Sequence, residues 1–154
     1  MPKRRDQIRM TDSEVWSFIE QQKSMQVCTL NRDGSPHLTT LWFAVVDGEL
    51  VFETFTKSQK VKNLQRDPRI AVLFEDGTEY AKLRGVTVNA TARLYSDPGD
   101  VERLAGAVML RNTPGLTPEQ LGPVAQRMAA KRTAIVVPLE KVVSWDHTKL
   151  DVDY

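Results

Sequence analysis

Three Asp-Gly pairs, Asp33-Gly34, Asp47-Gly48 and Asp76-Gly77, punctuate the first half of this chain, each beside a short run of apolar and β-branched residues. Glycine enters the positive-φ region without steric penalty, so such pairs mark tight reversals. Connections this brief join antiparallel neighbours, because parallel strands need a crossover of roughly a dozen residues. The runs at 25–30, 38–46, 50–55 and 70–74 therefore predict an antiparallel meander.

The longest strand candidate is 83–94, where Val86, Val88, Ala90, Ala92 and Leu94 alternate with Thr87, Asn89, Thr91 and Arg93. That period of two describes a half-buried strand with a polar outer surface, or a strand whose polar face lines a site. Segments 133–137 and 142–145 complete the set. Thr11 and Glu14 form a capping-box pattern ahead of Val15, Phe18 and Ile19, predicting a helix to about Gln22. Thr56 and Gln59 repeat that pattern ahead of Val61 and Leu64, and Pro68 ends the second helix. Two more helices are expected over 101–111 and 118–131, parted by Thr113-Pro114-Gly115. The sum is a mainly β fold: a six- to seven-stranded antiparallel β-barrel with peripheral helices. Residues 1–10 read as a mobile basic leader and 11–154 as a single domain.

Composition narrows the function classes. Lysine and arginine total 21 against 20 aspartate and glutamate, so a nucleic-acid or membrane-surface partner is not expected. Cys28 is the single cysteine, which excludes an internal disulfide; with no Cys/His ligand spacing, no metal site is expected. Cys28 itself reads as a small core residue. No apolar run approaches the roughly 20 residues of a bilayer span, and acidic and polar residues follow the basic N-terminus where a signal peptide would be apolar. A cytoplasmic location is the expectation.

The chemistry concentrates at 54–64, where a strand hands over to a helix. Lys57, Lys60 and Lys62 surround that junction, and Thr56 and Ser58 add hydroxyls. Free amides and the positive end of the helix dipole make such a start an anion site, suited to a phosphate. A solvated helix face carrying solubilising lysines has the same composition, and the motif alone does not separate the two.

This segment, with Gly34-Ser35-Pro36 opening a strand upstream and Asp67-Pro68-Arg69 opening one downstream, resembles the pyridoxamine-phosphate-oxidase-like split-barrel superfamily. Within it, the sequence looks most like the F420-dependent oxidoreductase branch. The resemblance covers about 11–95 and extends more weakly to Ser144-Trp145-Asp146-His147. It implies a Greek-key split barrel, a homodimer with cofactor at the subunit interface, and hydride transfer to a small unsaturated acceptor. Carried over by position, Lys57, Ser58 and Lys60 would hold the cofactor phosphate, with Lys62 and Asn63 adjacent. The ring would lie along Thr39, Thr40, Leu41 and Trp42, near Glu53 and Thr54. The phosphate oxidases usually carry arginine where this chain has Gln59, so FMN stands as the alternative to F420. A non-catalytic cofactor binder shares every binding residue. Trp145 is read either as closing over the partner's cofactor or as an interface anchor. Tyr80, Lys82 and His147 are candidates near the active-site mouth, Tyr80 and His147 as proton donors; His37 is read as a surface residue.

Overall fold

The computed structural model describes residues 2–150; Met1 and residues 151–154, the ends of the expected leader and domain, lie outside the described residues. After a helical turn α1 (Arg4–Gln7) and helix α2 (Asp12–Gln21) come strands β1 (Met25–Leu30), β2 (Pro36–Leu41), β3 (Ala44–Val46) and β4 (Glu49–Phe55). Helix α3 (Gln59–Arg66) then leads to β5 (Arg69–Asp76), β6 (Arg84–Thr91) and β7 (Arg93–Tyr95). Helices α4 (Pro98–Asn112) and α5 (Pro118–Ala129) precede β8 (Arg132–Val137) and β9 (Lys141–Asp146).

The strands form two antiparallel sheets, ordered β2-β1-β5-β6-β9 and β3-β4-β8-β7. This is the split barrel that the family resemblance implies; the meander read from the turns is interrupted, because β3 and β4 lie in the second sheet while β5 returns to pair with β1. Two sequence runs that read as single strands are each broken where the chain passes between sheets: 38–46 breaks at Trp42-Phe43, and 83–94 breaks at Ala92. Alternation continues across both breaks, so the period alone does not reveal them.

The local signals account for most boundaries. Thr11 and Glu14 make the capping box reciprocally, at 3.2 and 2.7 Å. Asn31 N donates to Ser35 O and Gly34 N to Asn31 O, with Gly34 at φ +84°, which is a three-residue hairpin ending in a glycine bulge. Asp47 and Gly48 both take positive φ, the two-residue turn that matches strand twist. The third pair behaves differently. Asp76 pairs with Arg84, so a seven-residue connection with a 3₁₀ turn at Tyr80–Lys82 replaces the tight hairpin.

Between the sheets lies the main core, in which Phe43, Phe52 and Phe74 are fully buried and the Phe43 and Phe74 rings meet edge-on at 4.9 Å. Each such side chain contributes about 1.5–3 kcal/mol relative to exposure. A second cluster packs α4, through Leu104 and Val108, on the other face of β4 and β8. Of the expected basic leader, the last residues are docked: Met10 is buried, its amide bonds Ser144 Oγ, and Ile8 O accepts from Asp146 N.

Candidate functional site

The β4–α3 junction is built by tethers on both sides. Thr56 N donates to Lys131 O, and Thr56 Oγ1 lies 3.0 Å from Thr133 Oγ1. Held by β8 in this way, Thr56 does not cap the helix. The cap is Ser58, two residues later than the pattern suggested, with its hydroxyl accepting from Val61 N. Lys57 and Lys62 are exposed and Lys60 is half-buried, where burial pushes its ammonium below the usual lysine value. Among the described residues, none of these three lysines has an acidic partner. The early amides of α3 likewise point out of its N-terminus.

Asn63 faces the other way. It is fully buried, donating to Thr29 Oγ1 and Asn31 Oδ1 and accepting from Gln59 Nε2. Its amide is spent on locking α3 to β1, so the structure gives it an internal role instead of a ligand contact.

Strand β2 lies at a sheet edge, paired only with β1. The hairpin bond from Asn31 to Ser35 sets the alternation, making Thr29↔His37, Val27↔Thr39 and Met25↔Leu41 the hydrogen-bonded pairs. The backbone amides of Leu38 and Thr40 consequently face the free edge. Thr39 Oγ1 and His37 Nδ1 are buried atoms with no hydrogen-bond partner among the described residues. His37, expected at the surface, is half-buried, because its side chain follows Thr39 and Leu41 toward the inner face.

Where β2 ends, Thr40, Leu41 and Trp42 meet Glu53, Thr54 and Phe55 of β4, Val108 of α4 and Arg132 of β8 around a groove of about 430 Å³. A second cavity of about 690 Å³ adjoins it through Phe55, with Thr56, Lys57, Ala130 and Lys131. Both fall within the range of small-molecule sites. Five of the expected residues are thus gathered in the first cavity and Lys57 in the second. Trp42 and Phe55 expose 45% and 55% of their surface, leaving open ring faces. Arg132 donates to Glu53 Oε2 at 2.6 Å, and its guanidinium carbon lies 4.2 Å from the Phe55 ring centroid. Sequence reading missed Arg132, Lys131 and Val108. Only the β4–β8 pairing and the packing of α4 bring them here, and neither leaves a local pattern.

Trp145, Tyr80 and His147 are not brought to the groove within one chain. Trp145 is on β9, four strand spacings from β2, or about 19 Å. It lies across Gly85, where a Cβ would occupy the space of the indole. His147 and Tyr80 contact each other edge-on at 4.7 Å, and His147 Nδ1 lies 2.8 Å from Tyr80 O. Lys82 pairs with Glu79 in the same connection. Cys28, expected in the core, points to the opposite face of β1 and is half-buried. No cluster of three metal-ligating side chains occurs among the described residues, nor does any helix long and apolar enough to cross a membrane.

The outer face of the five-stranded sheet carries its own pattern. The register aligns Leu38, Cys28 and Ala71 with Asn89 and Lys141 in one row, and Thr40, Gln26, Leu73, Thr87 and Val143 in the next, with Leu38 68% exposed.

The family pattern of pyridoxamine 5'-phosphate oxidase matches residues 11–146. A conserved hypothetical protein from Mycobacterium tuberculosis is 38% identical and superposes with a TM-score of 0.90, over 99% of this chain and 95% of that one. An F420 reductase is similar at 22% identity and a TM-score of 0.61, over 92% of this chain and 98% of that one. An FAD-binding protein from Mesorhizobium loti shares 15% identity and a TM-score of 0.65, over 88% and 94%. The last two show likeness of fold alone. Among the curated proteins, none has a sequence that matches this chain. Since the matched pattern runs from the cap of α2 to the end of β9, the chain belongs to the pyridoxamine 5'-phosphate oxidase family, with the split-barrel fold.

Proposed function

We propose that this protein is an oxidoreductase that binds F420 in the groove between β2 and β4 and transfers a hydride to a small unsaturated acceptor. The observation that carries the reading is the set of lysines without acidic partners at the start of α3, next to a groove with open aromatic faces.

When bound, reduced F420 supplies the hydride; the protein supplies orientation and field. Ser58, Lys57 and Lys60 hold the phosphate, helped by the amides that open α3. Lys62 and Lys131 extend the positive surface along an acidic tail. The free-edge amides of Leu38 and Thr40 orient the ring and stabilise charge developing on it. Trp42 and Phe55 exclude water from its faces. Tyr80 and His147 lie away from the groove of their own chain, so solvent delivers the proton unless a partner subunit brings them near.

A homodimer is part of the proposal. The mixed outer sheet face, where Leu38, Ala71, Leu73 and Val143 are interspersed with polar residues and Leu38 and Val143 are exposed, supplies a surface to pair. Pairing through that face lets Trp145 of the partner subunit approach the groove. FMN is the second reading: the Ser58-capped start of α3 with Lys57 and Lys60 suffices for one terminal phosphate.

Titration of purified protein with F420 and with FMN tests the reading, followed by Lys57→Ala and Lys60→Ala. A charge-assisted contact is worth about 1.5–3 kcal/mol, so each variant is expected to weaken binding roughly 10- to 100-fold. Unchanged affinity in both removes the phosphate assignment. Tight F420 binding without turnover of any acceptor leaves a carrier rather than an enzyme.

A further inference from the structure

We propose that Arg111 and Asn112, at the end of α4, are positioning residues that hold Trp42 in place as the wall of the groove. This rests on the reading of that groove as the ring site, but the geometry stands apart from it. At Trp42-Phe43 the chain leaves one sheet and has not yet joined the other, so the Phe43 carbonyl has no strand partner. Asn112 Nδ2 donates to it at 2.9 Å and Arg111 Nη1 at 3.5 Å. The guanidinium also stacks over the Phe43 ring, 4.0 Å from its centroid. Its other nitrogen, Nη2, donates to Gln22 O at 2.7 Å and Glu20 O at 3.0 Å, the carbonyls that end α2.

Arg111 therefore ties three segments together through carbonyl oxygens; among the described residues it forms no salt bridge. Trp42 makes no side-chain hydrogen bond among the described residues and is 45% exposed. Its direction is consequently set by the backbone at the crossover, and that backbone is set by buried Phe43 and by the Arg111–Asn112 latch. One turn earlier, Val108 lines the same groove and its carbonyl also accepts from Asn112 Nδ2, at 2.7 Å. Helix α4 thus contributes part of the wall and fixes the residue beside it. A lysine at 111 keeps the charge but presents a single nitrogen, which cannot serve Phe43 and the end of α2 in the same fork geometry.

The test uses a full chain with Trp42 as its sole tryptophan (Trp16→Phe, Trp145→Phe). In this background, Arg111→Lys, Arg111→Met and Asn112→Ala are compared by Trp42 emission, anisotropy and acrylamide quenching without ligand. Affinity for F420 and for FMN is measured in parallel for the same Arg111 and Asn112 variants in chains that keep Trp16 and Trp145. Val101→Ala, a core truncation on α4 in a separate buried cluster with Ala105 and Ala129, controls for general loss of stability. The expected result is lower anisotropy and stronger quenching of Trp42 in the Arg111 and Asn112 variants but not in Val101→Ala, with ligand affinity reduced roughly tenfold or more. Trp42 signals equal to the parent in Arg111→Lys and Asn112→Ala overturn the positioning role, whatever happens to the melting temperature. A Trp42 loosened in the variants, together with an unsubstituted chain that binds neither cofactor, supports the latch and overturns the cofactor reading instead.

Discussion

Arg132 donates to the Glu53 carboxylate at 2.6 Å while its guanidinium carbon lies 4.2 Å from the ring centroid of Phe55, two residues further along β4. The side chains of Arg132 and Glu53 are 26% and 12% exposed, so the pair is well shielded without being dry. Removing Arg132 leaves a largely buried carboxylate uncompensated and frees Phe55 to move. Arg132→Ala is expected to destabilise the fold by about 1–3 kcal/mol, read as a lower urea midpoint. It should also weaken ligand binding, since Phe55 borders both cavities. Glu53→Gln keeps a hydrogen-bond acceptor for Arg132 and should cost less on both measures. Equal losses in the two variants would show that the carboxylate charge, not ring placement, is what matters.

Lys60 supplies a pH prediction. Burial pushes its ammonium below the usual 10.5, so folding favours the neutral amine and the charged form costs stability at neutral pH. That cost falls as pH rises from the folded value toward 10.5. Lys60→Met should therefore be more stable than the parent near neutral pH, with the gap narrowing in the alkaline range. Urea midpoints across that range check the sign. An anion bound at α3 reverses the preference, so ligand binding at alkaline pH should take up protons. Calorimetry in buffers of differing ionisation enthalpy measures the uptake.

Gly85 is required by its neighbour. Trp145 lies across it, and an added methyl would have to displace the indole. Gly85→Ala is expected to cost about 1–3 kcal/mol, the usual penalty for overpacking. Thermal melting and the emission of Trp145 report the change. Where subunits pair through the outer sheet face, the same variant should also shift the monomer–dimer balance seen by sedimentation. Gly122, with open space around it, is the matched control, and Gly122→Ala should be neutral or mildly stabilising.

Local chemistry was legible wherever a contact spans a few residues. The Thr11–Glu14 box, the Asp47-Gly48 turn, the stop at Pro68 and the boundaries of β1 all follow from propensities that act over three or four positions. The cap at Thr56 did not hold, because its hydroxyl is drawn to Thr133 by a strand that arrives much later in the chain. The breaks at Trp42-Phe43 and Ala92 were hidden for a related reason. A strand that changes sheets keeps its alternation, and the break is imposed by packing on both sides.

The same division runs through the site. Residue types along the chain determined a basic strand-to-helix junction rich in hydroxyls, since those groups are neighbours in sequence; which hydroxyl caps the helix was settled by the later strand. Tertiary structure decided what surrounds them: Arg132 and Lys131 reach the groove through the β4–β8 register, and α4 closes its wall and latches the crossover. Tertiary structure also turned Asn63 inward and set Trp145 at the far edge of the sheet. Short-range preferences are encoded residue by residue, whereas pairings across the barrel depend on burying many apolar side chains at once, and no single segment carries that information.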